Sequence, residues 1–212
     1  MQTEAVWRAL PRKIREVLAE KDLHDLQEIR LRSGQPLLLK RENRLFSLGK
    51  EGVFLPAADE KGMRVSMADL RETVSLLSGY SLYAFEEELR QGYLTIEGGH
   101  RVGFCGKAVL ENGEIRTLRQ INALNIRIAR ERKGWGEMLL PLLLEKNTLC
   151  HTLIVSPPGC GKTTFLRDLI RCMSERGKTV GVVDERGEIA PLRDGMPQMD
   201  VGPCTDILEG CP

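Results

Sequence analysis

Ser156-Pro157-Pro158-Gly159-Cys160-Gly161-Lys162-Thr163-Thr164 decides the fold. The apolar run Thr152-Leu153-Ile154-Val155 precedes it and a helical pattern follows, which is the strand, loop and helix order of a phosphate-binding P-loop. Gly159 and Gly161 can take the positive φ angles that turn successive N–H groups inward, and a helix starting near Thr163 adds unpaired donors and a partial positive charge. Lys162 is placed to give a point charge to the β- and γ-phosphates, and the Thr163 hydroxyl to ligate Mg2+. The whole stretch Ser156 to Thr164 is therefore the predicted binding loop for ATP and Mg2+. Ser156 stands where the G-x-x-x-x-G-K-[ST] pattern has its first glycine, so a slightly altered start to the loop is expected. The helix shows Phe165, Leu166, Leu169, Ile170 and Met173 on one face, with Gly177 beyond its end.

The next apolar run, Thr179-Val180-Gly181-Val182-Val183, leads into Asp184-Glu185-Arg186-Gly187-Glu188. It looks like a Walker B, but Asp184 follows Lys162 by just enough chain for one helix and a return to the sheet. Asp184 then reads as a second-strand carboxylate facing the nucleotide, with Glu185 and Glu188 as candidate catalytic acids at the carboxyl end of the strand. A solvated charged turn is the alternative. The tail Ile189 to Pro212 is rich in Pro, Gly and Asp. From Thr152 on, two clear strands and one helix stand out, fewer than the roughly five or six strands usual in such a sheet. The nucleotide domain thus reads as truncated, and slow or absent hydrolysis is expected of this chain.

Charged residues make up 29% of the chain and the formal net charge is +1. No apolar run approaches the ~18 residues of a membrane span, and Met1 to Leu10 lacks the apolar core of a secretory signal. A cytoplasmic protein is expected, peripheral to a membrane through partners at most. A net charge near zero argues against an extended nucleic-acid surface, and no nucleic-acid partner is expected. The six cysteines (105, 150, 160, 172, 204 and 211) form no C-x-x-C pair, which argues against a metal centre and for reduced thiols.

Residues 1–133 read as a separate α+β domain, 134–146 as linker and short helix, and 147–212 as a partial P-loop domain of RecA-like or AAA-like type. In the first of these, Val6, Leu10, Ile14, Val17 and Leu18 predict amphipathic helix, interrupted or restarted near Pro11. Ile29-Arg30-Leu31-Arg32, a turn at Ser33-Gly34-Gln35-Pro36 and Leu37-Leu38-Leu39 predict a hairpin. Ser66 with Asp69 predicts a cap for a helix ending at Gly79, and a second helix is predicted from Ser81 to Gly92. Tyr93 to Ile96, Arg101 to Phe104 and Ala108 to Leu110 predict strands, followed by an Asn112-Gly113 turn. Arg101, Arg116, Arg119, Arg127 and Arg130 lie in or between these strands, either solvated or aimed at a phosphate or an acidic partner.

Several blocks carry a family resemblance. Glu28-Ile29-Arg30-Leu31-Arg32-Ser33-Gly34-Gln35-Pro36, Leu89 to Thr95, Gly98-Gly99-His100-Arg101-Val102-Gly103, Leu124-Asn125-Ile126-Arg127-Ile128-Ala129-Arg130, the P-loop and Val183 to Ala190 together resemble the stage III sporulation protein AA family. That family is similar to the ATPases of type II and type IV secretion systems, hexameric motors whose N-terminal α/β domain packs over a neighbour's nucleotide. The resemblance implies that Arg101 and Arg119 are candidate catalytic contacts to phosphate and that Asp184, Glu185 and Glu188 match an acidic box. The family continues, with its Walker B, past a Cys-Pro such as Cys211-Pro212. It further implies ATP-driven work in spore formation, energising a membrane channel complex between mother cell and forespore, with a homo-hexamer of the full-length protein and membrane proteins as partners. A nucleotide-dependent scaffold without turnover and a nucleic-acid motor remain as alternatives.

Overall fold

The computed structural model describes residues 3–18, 24–57, 59–79, 86–146, 148–157 and 160–211. They divide into two compact units, Met1–Ala129 and Arg130–Pro212. The molecule is α/β, with a large sheet in the first unit and, in the second, a helix that opens after Gly161 and is packed on both sides.

The first unit begins with α1 (Glu4–Ala9) and α2 (Arg12–Arg15), separated at Pro11, whose ring and missing N–H suit a helix start. Seven strands follow: β1 (Leu26–Arg32), β2 (Leu38–Arg41), β3 (Arg44–Leu48), β4 (Phe54–Pro56), β5 (Tyr93–Ile96), β6 (His100–Glu111) and β7 (Glu114–Arg127). They form one antiparallel sheet in the order β4-β3-β2-β1-β7-β6-β5. The two strands expected at Arg101–Phe104 and Ala108–Leu110 are one continuous β6, bent by a bulge between Cys105 and Lys107. Asn112 and Gly113 close the β6–β7 hairpin with φ of 52° and 85°, the pair of positive angles that a tight hairpin turn needs. α3 (Met67–Leu77) and α4 (Glu86–Gln91) lie between β4 and β5; the predicted start of α4 at Ser81 lies outside the described residues.

Alternation gives the sheet two different faces. Leu39, Ile29, Ile126 and Val102 are cross-strand neighbours in one row and enter the core with Val6, Leu10, Leu70 and Val74 from the helices. The adjacent row on the other face reads Lys40, Glu28, Arg127 and Arg101. α3 is capped as the sequence predicts: the Asp69 N–H donates to Ser66 Oγ, and the Asp69 carboxylate accepts the Ser66 N–H at 2.7 Å.

The second unit contains α5 (Trp135–Leu143), β8 (Leu144–Glu145), β9 (Thr148–Leu149), α6 (Lys162–Glu175), β10 (Val180–Asp184), β11 (Leu192–Arg193), β12 (Met196–Pro197) and β13 (Thr205–Glu209). α5 packs on α6 through Leu140, Leu169 and Cys172. Their backbones touch at Gly136, where a Cβ would stand 2.6 Å from the Asp168 carbonyl group, so glycine is required there. Trp135 and Gly136, expected as linker, are thus the first turn of α5. The other side of α6 packs through Ile170 and Leu166 in a cluster with Val182 of β10, Ile207 of β13, and Ala190 and Val201 from the segment between those strands.

Two strand expectations need correction. Thr152–Val155 carries no strand ladder, and Leu153 and Val155 are 87% and 80% exposed. An apolar run becomes a strand only where a neighbour takes its backbone hydrogen bonds, and among the described residues none does. The partner that β10 does find is β13, in parallel register from Val180 opposite Thr205 to Asp184 opposite Glu209. This strand lies in the Pro- and Gly-rich tail, where Asp206 and Glu209 hide the apolar pair Ile207-Leu208 from a propensity reading.

Candidate functional site

The candidate phosphate loop leads into α6 at Gly161, whose φ of 84° lies in the left-handed region that favours glycine. The first N–H groups of α6, from Lys162, Thr163 and Thr164, have no acceptor within the helix and face the loop with the positive end of the helix dipole. The Lys162 ammonium folds back over the loop and donates to Ser156 O at 2.7 Å, Pro157 O at 3.1 Å and Ser156 Oγ at 3.3 Å. The serine that replaces the first glycine of the motif therefore supplies both its carbonyl and its hydroxyl to the lysine. Cys160 is exposed and its N–H reaches Pro157 O at 3.4 Å. Ser156, Pro157, Cys160, Gly161, Lys162, Thr163 and Thr164 are brought together in one loop; Pro158 and Gly159 lie outside the described residues.

The acidic turn follows β10. Asp184 is 3% exposed, and its carboxylate accepts the N–H groups of Glu188, Ile189 and Ala190 at 3.0, 2.8 and 2.9 Å. The sequence aims this carboxylate at a nucleotide. In the structure both of its oxygens hold main-chain donors instead, because a buried carboxylate is stable only where hydrogen bonds replace its lost water. Glu185 and Glu188 present exposed side chains at the surface of the turn that Asp184 shapes.

Sequence periodicity missed a group of buried charges on α6. Arg167, Asp168 and Arg171 fall opposite the apolar stripe, where a solvated face is expected, yet they are 7%, 3% and 4% exposed. Asp168 Oδ1 accepts Arg171 Nε and a terminal guanidinium nitrogen at 3.0 and 2.7 Å, while Oδ2 accepts the N–H groups of Gly134 and Gly136 at 2.8 and 2.7 Å. Burial works against the ionised form of Asp168, but these donors outweigh it and hold the carboxyl below its ordinary range. The Arg171 guanidinium is buried as well, yet Asp168, Glu175 and Glu137 hold it firmly protonated. Between the two anchored glycines, Trp135 lays its ring 3.5 Å from the position a Gly161 Cβ would take. The start of α5 is thus tied to α6 at Asp168 and lies against its cap at Gly161.

On the first unit, Gly98 and Gly99 turn the chain from β5 to β6, and buried His100 accepts the Ala129 N–H on Nδ1 at 3.0 Å. Arg101 comes next, stacked on the Tyr93 ring at 3.7 Å from its centroid. Its direct cross-strand neighbour is Arg127, which in turn neighbours Glu28. Glu28 is 6% exposed and binds Arg30 at 2.8 and 3.2 Å; burial opposes its charge, but hydrogen bonds from Arg30 and Asn125 lower its pKa overall. Arg119 stands elsewhere, opposite Lys107 beyond the bulge. At about 3.3 Å per residue the strand between Arg101 and Lys107 spans roughly 20 Å, so Arg101 and Arg119 do not form one cluster. The partner of Arg101 is Arg127, which the sequence lists among regular arginines without singling it out.

The described residues contain no group of three or more His, Cys, Asp or Glu side chains arranged to hold a metal ion. No helix among them is long and apolar enough to cross a membrane.

Comparison with known proteins gives a family. The stage III sporulation protein AA of Bacillus subtilis (strain 168) is 40% identical over 211 residues, covering 96% of this chain. The chain spans 64% of that relative's length. Among solved structures, the Legionella pneumophila ATPase DotB aligns at a TM-score of 0.41 and 16% identity, over 94% of this chain and 51% of that one. The pilus retraction motor PilT with bound ADP aligns at 0.46 and 14%, over 93% and 50%. The family described as "Sporulation stage III, protein AA" matches residues 1–212, the full extent of the sequence, and the chain belongs to that family.

Proposed function

We propose that the second unit binds a nucleoside triphosphate with Mg2+ at the 156–164 loop, and that the longer family protein turns ATP hydrolysis into work on a sporulation membrane complex. The observation that carries this reading is the convergence of the Lys162 ammonium and the first-turn N–H groups of α6 on one short loop. Triphosphate oxygens would replace the carbonyls of Ser156 and Pro157 as acceptors for Lys162, and the Thr163 hydroxyl would join the Mg2+ shell. Glu185 and Glu188 are the acids available near the end of β10 to orient water. Arg101 and Arg127, side by side on the sheet, are the proposed contacts to phosphate, since the guanidinium fork suits phosphate oxygens. In a homo-hexamer they would meet the phosphate held by a neighbour. Membrane proteins of the mother cell–forespore channel are the proposed partners, the protein working from the cytoplasmic side without nucleic acid.

The test is calorimetric titration of the chain with Mg-ATP against Lys162→Ala. A charge-assisted hydrogen bond is worth about 1.5–3 kcal/mol, so affinity should fall about ten- to hundredfold. Equal affinity in the two proteins would refute the loop assignment.

A further inference from the structure

Arg167 is the buried charge with the strangest company. Its guanidinium donates to three main-chain carbonyls: Ile189 O through Nε, Glu188 O at 2.7 Å and Arg130 O at 3.2 Å. Among the described residues no carboxylate comes within ion-pair distance of it. Those of Glu188 and Ile189 belong to the peptide units whose N–H groups, on Ile189 and Ala190, Asp184 already holds. Residues 188 and 189 are therefore gripped from both sides, by a buried carboxylate on their donors and a buried guanidinium on their acceptors.

We propose that Arg167 is a positioning residue that transmits nucleotide occupancy of the phosphate loop to Glu188 in the acidic turn. The proposal rests on the nucleotide reading of that loop. Lys162 opens α6 and Arg167 lies five residues on, about 7.5 Å along the same rigid helix. When Lys162 exchanges the Ser156 and Pro157 carbonyls for phosphate, any adjustment of the first turn moves the Arg167 fork with it. The fork is planar and directional, so two consecutive carbonyls must follow or lose their bonds. A role confined to stability explains the arrangement poorly, because a guanidinium taken out of water and held through carbonyls, with the Glu131 and Asp184 charges acting on it only from beyond ion-pair distance, is less stabilising than an apolar side chain of similar size. Burial pulls the Arg167 pKa below the usual arginine value, outweighing the opposite pull of the Glu131 and Asp184 charges. The same grip fixes where the Glu188 backbone leaves the turn, and so where its exposed carboxylate can be aimed.

Hydrogen exchange read by mass spectrometry, with and without saturating Mg-ATP, tests this on the chain itself, on Arg167→Lys and on Arg167→Gln. Lysine keeps the charge but not the fork, and glutamine keeps a planar donor but not the charge. In the native protein Mg-ATP should raise protection of the 188–190 amides by about fivefold or more, the scale of a modest local coupling. Both variants should lose that response while calorimetry shows Mg-ATP affinity within about threefold of native, since neither touches the loop. A structural role alone would lower protection of 188–190 equally with and without nucleotide and leave the response intact, which would overturn the proposal. Native protein that binds Mg-ATP without any change at 188–190 would overturn it too, and this comparison stands even where a variant fails to fold. Native protein that does not bind Mg-ATP refutes the nucleotide reading first, and the coupling with it.

Discussion

Replacing Asp168 by alanine should destabilise the second unit by about 4 kcal/mol, and each part of that figure has a structural source. Breaking a buried ion pair by removing one partner costs about 3–5 kcal/mol. Arg171 keeps Glu175 at 2.7 Å and Glu137 at 3.1 Å, both on substantially exposed carboxylates, so the lower end of that range applies. The Gly136 N–H, buried under α6, loses its acceptor and adds about 1 kcal/mol; the Gly134 N–H is partly reached by water and adds little. Asp168→Asn retains an oxygen for the glycines but removes the charge facing Arg171, and should cost about half as much. Urea unfolding followed by circular dichroism at pH 7 measures both variants, with the slope of the transition as a control for compactness. Since Trp135 sits between the two freed glycines against Gly161, its emission should shift in Asp168→Ala before global unfolding. A loss below about 1 kcal/mol at unchanged slope would refute the assignment of Asp168 as the anchor of α5.

Two further outcomes are expected. Asp69, Asp168 and Glu28 all have folded-state pKa values lowered from 3.8, 3.8 and 4.5, so they contribute stability above those values and lose it as pH falls through the folded ones. Urea midpoints should therefore drop steeply below about pH 4.5, and Asp168→Asn should flatten that slope; a midpoint unchanged down to about pH 3 would contradict it. In the longer family protein, Arg101→Ala and Arg127→Ala should each leave Mg-ATP binding intact and remove most hydrolysis, by about 10³-fold or more if they act as arginine fingers. Mixing either with Lys162→Ala protein should restore partial turnover; no rescue in mixtures shown to co-assemble would argue for action within one chain.

The elements legible in the sequence share one property, which is that their signals are local. The Asn112-Gly113 turn, the Ser66 and Asp69 cap, the restart at Pro11 and the opening of α6 after Gly161 each depend on the backbone preferences or short-range hydrogen bonds of a few adjacent residues. The 156–164 stretch is likewise written in consecutive residues, so the loop proposed to bind phosphate can be named before any fold is known.

Partnership was not legible. Thr152–Val155 has strand composition and no ladder, while Thr205–Glu209 has the weaker composition and pairs with β10, because a strand exists only where a distant segment completes its hydrogen bonds. Arg127 became the neighbour of Arg101 through the register of β6 on β7, a relation across 26 residues that no spacing rule encodes.

What the sequence determined by itself is the α/β class and the opening of a helix after a Gly-rich loop, since both follow from local conformation and from the alternation of apolar and polar residues. Only the tertiary structure decided the use of the charges. Arg167, Asp168 and Arg171 fall on the face of α6 where solvated side chains are expected, and Asp184 reads as a carboxylate facing a nucleotide, until packing of α5, α6 and β10 removes their water. Once buried, each must find main-chain groups or an opposite charge, and the partners available depend on which segments the fold has brought beside it.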